Sequence, residues 1–177
     1  PLLAAQKNVS RFGLEDRIEL RLGSGFSVYR PGECDVFTVA GMGGLLIAQI
    51  LADAPEIARS AERLILQPNT CHGELRRYLF ESGYEISDEA CVAEEQHTYL
   101  ILTARYVGKI RQAEDSLMLW TGQHLQKKPE GKAYFEMLYE KTARALNGMQ
   151  KGETESEQLL SKREFHERLL RRLSDLL

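Results

Sequence analysis

This chain lacks several features that would each have named a class. It has no apolar run long enough to span a membrane, no Cys-x-x-Cys pair and no His-rich spacing of a metal site. Its three cysteines, Cys34, Cys71 and Cys91, are an odd number, which reads as reduced thiols in a cytoplasm rather than a disulfide framework. Cys34 precedes an apolar run and Cys91 lies within one, so packing is the default role of both, whereas Cys71 opens a helix. There is no initiator methionine, and Pro1-Leu-Leu-Ala-Ala passes at once into polar residues, unlike a signal peptide. Neither Gly-x-Gly-x-x-Gly nor Gly-x-x-x-x-Gly-Lys-Ser/Thr occurs, so spacing alone names no cofactor. Excess charge of one sign is also missing. Lys plus Arg number 23 against 26 Asp plus Glu, for a net charge of −3. That leaves a local basic face as the route to nucleic acid.

What is present is a soluble globular balance, 43% hydrophobic and 28% charged, in 177 residues, enough for one domain plus an appendage. The most informative stretch is Cys34-Asp-Val-Phe-Thr-Val-Ala-Gly-Met-Gly-Gly44. A β-branched run over 36–40 stops at glycines, and an apolar helical pattern begins with Leu45-Leu46-Ile47-Ala48. In a parallel α/β sheet, ligands bind beyond the carboxyl ends of strands, and glycine there lets backbone approach them. The pattern recurs without glycines at Arg63-Leu-Ile-Leu-Gln67-Pro68-Asn69, followed by another helix. Ordinary turn chemistry accounts for either segment alone. The two in order favour a site.

Along the chain, residues 2–12 read as an amphipathic helix closed by Gly13. Residues 18–22 alternate apolar and charged and read as a strand, ending at Gly23-Ser24-Gly25. The strand over 36–40 leads to a helix over about 43–52, with Pro55 at its exit. The strand over 63–67 leads to a helix with Asn69 or Thr70 as cap and Leu75, Tyr78 and Leu79 at helical spacing. Gly83 ends it. Residues 84–93 and 98–107 read as a hairpin joined by Glu94-Glu95-Gln96-His97. The implied fold class is α/β, a parallel sheet finished by an antiparallel edge. From Lys109 onward there is no strand signal, and an entirely helical segment is expected. Phe135, Leu138, Thr142, Ala145 and Met149 form a helix seam that Asn147-Gly148 and Gly152 interrupt. Thr154-Glu-Ser-Glu157 reads as a capping box for a last helix bearing Leu169, Leu170, Leu173, Leu176 and Leu177. Arg163, Arg168, Arg171 and Arg172 lie beside that face, a solvated surface unless the partner is RNA. The expected division is an α/β part over 1–108 and an antiparallel helical, coiled-coil-like hairpin over 109–177.

A helix fragment is an unusual start for an α/β domain. The expectation is that the chain begins partway through a larger domain, with a strand and the cofactor's glycine loop upstream.

The strings Val39-Ala-Gly-Met-Gly-Gly44, Glu62-Arg-Leu-Ile-Leu-Gln-Pro-Asn69 and Glu94-Glu95 before Tyr99 resemble the bacterial tRNA (adenine-22-N1)-methyltransferase family, over nearly the whole chain. The resemblance implies a Rossmann-like class I methyltransferase sheet, N-terminally truncated, plus a C-terminal helical hairpin. It implies S-adenosylmethionine as cofactor, tRNA as partner, and no metal or membrane. Residues 18–22, 36–40 and 63–67 would be that sheet's third, fourth and fifth strands. Gly23, Ser24, Gly25, Ala40, Gly41, Met42 and Gly43 would line the cofactor. Where many relatives carry Asp, this chain has Ser24, a hydrogen-bond acceptor without charge assistance. Gln67, Pro68, Asn69 and Tyr99 would meet the base, and Lys127, Lys128 and Lys132 the RNA backbone. The N1 edge is paired in a duplex, so the adenine must be extruded. With the first two strands upstream, the isolated chain is expected to bind cofactor poorly. Three other readings stay open: an N6-adenine methyltransferase, whose Asp/Asn-Pro-Pro-aromatic motif is replaced here by Gly41-Met42-Gly43; a noncatalytic interaction module; and, by fold analogy alone, a nicotinamide oxidoreductase.

Overall fold

The computed structural model describes residues 2–95, 97–112, 115–150 and 156–177. Helix α1 (Leu2–Arg11) ends in a left-handed Gly13, with the Gly13 and Leu14 amides donating back to Ser10 and Val9 carbonyls. Those two bonds satisfy carbonyls that the last turn would leave orphaned. Four strands follow: β1 (Val36–Gly43), β2 (Arg63–Thr70), β3 (Tyr84–Glu94) and β4 (His97–Tyr106). They form one sheet in the order β1-β2-β4-β3, with β1 parallel to β2 and β4 antiparallel to both its neighbours. β1 is therefore an edge strand. Between the strands lie α2 (Gly44–Asp53), the short α3 (Pro55–Ser60) and α4 (His72–Glu81).

The core follows from strand parity. Phe37 pairs with Leu64, Val39 with Leu66 and Leu66 with Leu102, so these buried side chains share one face. Ile47 and Leu51 of α2, and Leu75 and Leu79 of α4, are fully buried against them. In β3 a bulge between Ile86 and Asp88 changes the parity. Ser87 is the extra residue, Asp88 faces Thr103, and Glu89 is turned to the core side opposite Leu102.

The segment 18–22 is not a strand. It joins no ladder, and Ile18 and Leu22 are exposed. Alternation marks one side of a segment as apolar, but a strand also needs a partner for its backbone, and among the described residues β1 pairs only with β2. The strand at 36–40 runs on to Gly43, and α3 fills the stretch where the sequence showed only Pro55 as an exit. Neither Asn69 nor Thr70 caps α4. Both belong to β2, and Cys71 holds the N-cap position in a left-handed conformation with no side-chain cap bond.

Beyond Gly108 no strand occurs among the described residues, but the segment is not wholly helical. Residues 109–112 carry no regular structure and residues 115–117 form a bend and turn. The single-turn α5 (Met118–Thr121), a 3-10 turn at Leu125–Lys127, and then α6 (Gly131–Gln150) and α7 (Glu157–Ser174) follow. Asn147-Gly148 does not interrupt α6, because tertiary packing of its buried Tyr134, Phe135, Leu138 and Thr142 outweighs one glycine's propensity cost. Gly152 and Thr154 lie outside the described residues. The cap of α7 is Ser156, whose hydroxyl accepts from the Leu159 amide. The end of α7 returns to the 3-10 turn that precedes α6, where Arg172 Nη2 donates to Gln126 Oε1 at 2.9 Å. The two helices are thus antiparallel, with Leu169 and Leu173 buried between them and the rest. Among the described residues no helix is long and apolar enough to cross a membrane.

Candidate functional site

The carboxyl ends of β1 and β2 lie side by side, and both are irregular. Ala40 faces Gln67 and Met42 faces Pro68, but the ladder shifts on either side of Met42. Gly41 thereby loses its ladder position and adopts φ +78°, a conformation glycine accepts without penalty. Its orphaned amide donates to Gln67 Oε1 at 2.8 Å, and Gln67 Nε2 donates to Asn69 Oδ1 at 2.9 Å. A chain of amides therefore ties the glycine turn to Asn69. It fixes both ends of the Gln67 carboxamide and ends at Asn69, an exposed residue of the strand end. A Cβ built on Gly41 would meet nothing within 4 Å, so open space adjoins the turn. Gly43 is closer packed, with Thr70 Oγ1 at 3.1 Å from a Cβ. Gly44 has a different cause: a Cβ there would fall 2.3 Å from the Cys71 carbonyl oxygen. That glycine lets α2 start against the β2–α4 junction.

Asn69 lines an open cleft of about 640 Å³ between the β3–β4 hairpin tip and α6. Its walls include His97, Thr98 and Tyr99 on the hairpin and Met137, Lys141 and Arg144 on α6. The His97 and Tyr99 rings lie 6.2 Å apart, forming an aromatic surface on one wall.

The structure brings Ala40, Gly41, Met42, Gly43, Gln67, Pro68, Asn69 and Tyr99 to one edge of the sheet. It does not bring Gly23, Ser24 and Gly25 there. A Cβ on Gly25 would meet Ile50 in the second half of α2, and Ser24 and Gly25 line a separate cleft with Asp53, Ala54 and Pro55. The strand expected to carry that turn to the sheet's carboxyl edge has not formed. The lysines also part company. Lys127 and Lys132 are exposed, whereas Lys128 Nζ bonds Asp88 Oδ1 at 2.7 Å and the Glu89 carbonyl at 2.8 Å. Its ammonium is occupied in fastening the turn before α6 to β3.

Sequence reasoning missed the buried polar cluster behind the cleft. Arg76 Nε donates to Glu89 Oε1 at 2.7 Å, and its Nη1 donates to the Leu119 carbonyl at 2.8 Å. Glu89 Oε2 accepts from the His124 amide at 2.7 Å. Beside this pair, His72 Nε2 meets the Pro68 carbonyl at 3.2 Å and its Nδ1 meets Tyr134 Oη at 3.0 Å. Burial, with the nearby Arg76 guanidinium second and Lys141 third, pushes His72 down to about 4. A signal existed: His72, Leu75, Arg76, Leu79 and Phe80 repeat at 3-and-4 spacing, so two ionisable residues sit in the apolar stripe of α4. Among the described residues there is no cluster able to hold a metal ion.

A mixed sheet whose parallel strand ends carry a glycine turn and an amide-lined terminus is a Rossmann-like arrangement. The chain belongs to the tRNA (adenine(22)-N(1))-methyltransferase family, whose family model matches residues 1–174. A Bacillus subtilis (strain 168) relative of that description is 38% identical over 122 residues, 69% of this chain. The chain spans about half (51%) of that relative's length. The solved B. subtilis m1A22 tRNA methyltransferase is similar at 28% identity and a TM-score of 0.80, covering 99% of this chain and 77% of that one. A Streptococcus pneumoniae candidate tRNA (m1A22) methyltransferase, solved in complex with S-adenosyl-L-methionine, is 31% identical with a TM-score of 0.75. That match covers 94% of this chain and 75% of the other.

Proposed function

We propose that this chain is the base-reading part of an S-adenosylmethionine-dependent enzyme that methylates N1 of an adenine in tRNA, in the cytoplasm. The observation that carries the reading is the amide chain Gly41–Gln67–Asn69, ending at a cleft with an aromatic wall. It is supported by the family and by the tRNA methyltransferase description of the B. subtilis relative.

The residues fit the cofactor. Open space adjoins the positive-φ Gly41, and the backbone of Ala40, Gly41, Met42 and Gly43 would hold the methyl end. When bound, the cofactor supplies an electrophilic sulfonium methyl group. Ser24 and Gly25 line another cleft here, so the proposed seat rests on the β1 turn. Adenine N1 carries a lone pair and no proton, so attack needs no general base from the chain. The protein's task is to position the base and exclude water. Gln67 holds Asn69, whose exposed amide reads the base edge. Tyr99, with His97, offers the ring surface on which an extruded base stacks. The Pro68 carbonyl is engaged by His72 and is a structural member of the strand end. Exposed Lys127 and Lys132, with Lys141 and Arg144 at the cleft, supply RNA backbone contacts, and the division of labour is a sheet part over 1–108 and a helical part over 109–177.

The test is methyl transfer to an unmodified tRNA transcript by the intact protein, read by nucleoside mass spectrometry. N1-methyladenosine is expected, with a loss of about a hundredfold in Gln67→Ala, the scale expected of a misplaced reacting group. A wild-type protein that leaves every adenine unmodified, or that methylates N6, overturns the reading.

A further inference from the structure

We infer that His72 and Tyr134 are positioning residues that set α6 against the end of β2 and so fix the width of the base cleft. The inference rests on the proposed function, because it concerns the site that function uses.

The geometry runs in one line. The Pro68 carbonyl belongs to the strand end that carries Asn69, one wall of the cleft. His72 lies four residues on, in the first turn of α4, with Nε2 3.2 Å from that carbonyl. Its Nδ1 is 3.0 Å from Tyr134 Oη. Tyr134 sits in α6, between Ala133 and the stretch Glu136, Met137, Glu140, Lys141 and Arg144 that forms the opposite wall. Both side chains are buried, Tyr134 fully. A single imidazole thus bridges the two walls from behind.

Proton accounting selects one tautomer. A carbonyl oxygen only accepts, so Nε2 carries the hydrogen towards Pro68. A neutral ring has one N–H, so Nδ1 accepts, and its donor is the Tyr134 hydroxyl. The same hydroxyl also donates towards the Trp120 carbonyl at 3.0 Å, a carbonyl that accepts from Arg76 Nη1 at 3.3 Å as well, so its one proton is shared between the ring nitrogen and that carbonyl. Both ring nitrogens and the Pro68 carbonyl then have partners, provided the imidazole stays neutral. Removing the tyrosine hydroxyl leaves Nδ1 without its donor and frees α6 to shift, while the Gly41–Gln67 contact is untouched. The pair therefore acts on the RNA side of the site and not on the cofactor side.

The experiment has two arms. In the first, ring-nitrogen NMR of the 177-residue chain at neutral pH reads the tautomer. A protonated Nε2 with an accepting Nδ1, shifted in Tyr134→Phe, is expected. A protonated Nδ1, or no response to Tyr134→Phe, overturns the inference whatever the enzyme does. The second arm uses the intact protein with tRNA, once wild-type transfer has been observed, so that failure of the parent reading is seen separately. Tyr134→Phe and His72→Gln should each lower kcat/KM for tRNA about tenfold or more, with cofactor Kd within about twofold of wild type. His72→Gln keeps a donor towards Pro68, so the double variant should be no worse than the poorer single one. Additive losses, or a fall in cofactor affinity matching the fall in kcat/KM, would show a general structural role instead.

Discussion

Arg76 and Glu89 form an ion pair 2.7 Å long, with each side chain only 1% exposed. The pair joins α4 to β3, and its remaining bonds hold backbone of α5 and of the turn after it: the Leu119 carbonyl on one side and the His124 amide on the other. Gly122 closes over it, since a Cβ there would lie 2.6 Å from Glu89 Oε2. The helical segment is thus tied to the sheet through a polar core contact rather than through apolar packing alone.

Breaking that pair on one side should be far more damaging than removing its charge altogether. Glu89→Gln leaves the guanidinium buried without a counter-charge and should cost about 3–5 kcal/mol. Arg76→Met combined with Glu89→Gln should recover most of that loss. Urea unfolding of the three proteins decides it; a Glu89→Gln variant within about 1 kcal/mol of wild type would contradict the assignment.

His72 gives the chain a defined acid response. Its folded-state value is about 4 against an ordinary 6.5, so the folded state binds fewer protons in that window. The stability linked to its neutral form is complete above about 6.5 and is lost as pH falls towards about 4, amounting to roughly 3 kcal/mol. Arg76 and Lys141 add to the cost of charging the ring. His72→Gln should flatten the slope between pH 6.5 and 4 relative to wild type. Parallel pH–stability curves for the two proteins would refute it.

Two glycines at the β1 turn should behave differently. Gly44→Ala places a methyl against the Cys71 carbonyl and should destabilise by about 1–3 kcal/mol or more, visible in thermal unfolding. Gly41→Ala meets no atom and should cost only about 1–2 kcal/mol for its positive φ. In the intact protein, Gly41→Val should retain its fold yet lose S-adenosylmethionine binding by calorimetry. Unchanged binding there would mean that this glycine serves only the turn.

The lysines can be sorted by salt. Lys132→Gln and Arg144→Gln should each reduce the slope of log affinity for tRNA against log salt by about 1. Lys128→Gln should leave that slope alone and lower stability instead, because its ammonium is already shared between Asp88 and the Glu89 carbonyl.

Local signals carried much of this architecture. The runs at 36–40 and 63–67, the hairpin and the start of α2 were readable because each is dictated by its own residues. The amide-lined strand ends were readable as a pair because Gly41 and Gln67 are abnormal residues at strand termini. Residues 18–22 misled, since alternation reports sidedness and not the availability of a neighbour. Glu89 was invisible for a different reason. Regular alternation puts Asp88 on the core side, and only the extra residue at Ser87 reverses that. Lys128 looked like its neighbours in sequence, and only the folded turn engages it.

The edge position of β1 also governs how the isolated chain behaves in bulk. Among the described residues, one rim of that strand has no ladder partner, and Val36 and Met42 in the strand are exposed. Such a rim is a template for self-pairing. Concentrated solutions of the chain should therefore show attractive colloidal interactions, with apparent mass in light scattering rising with concentration and falling on dilution. A lysine at Val36, which disfavours rim-to-rim approach, should suppress that rise without altering the sheet.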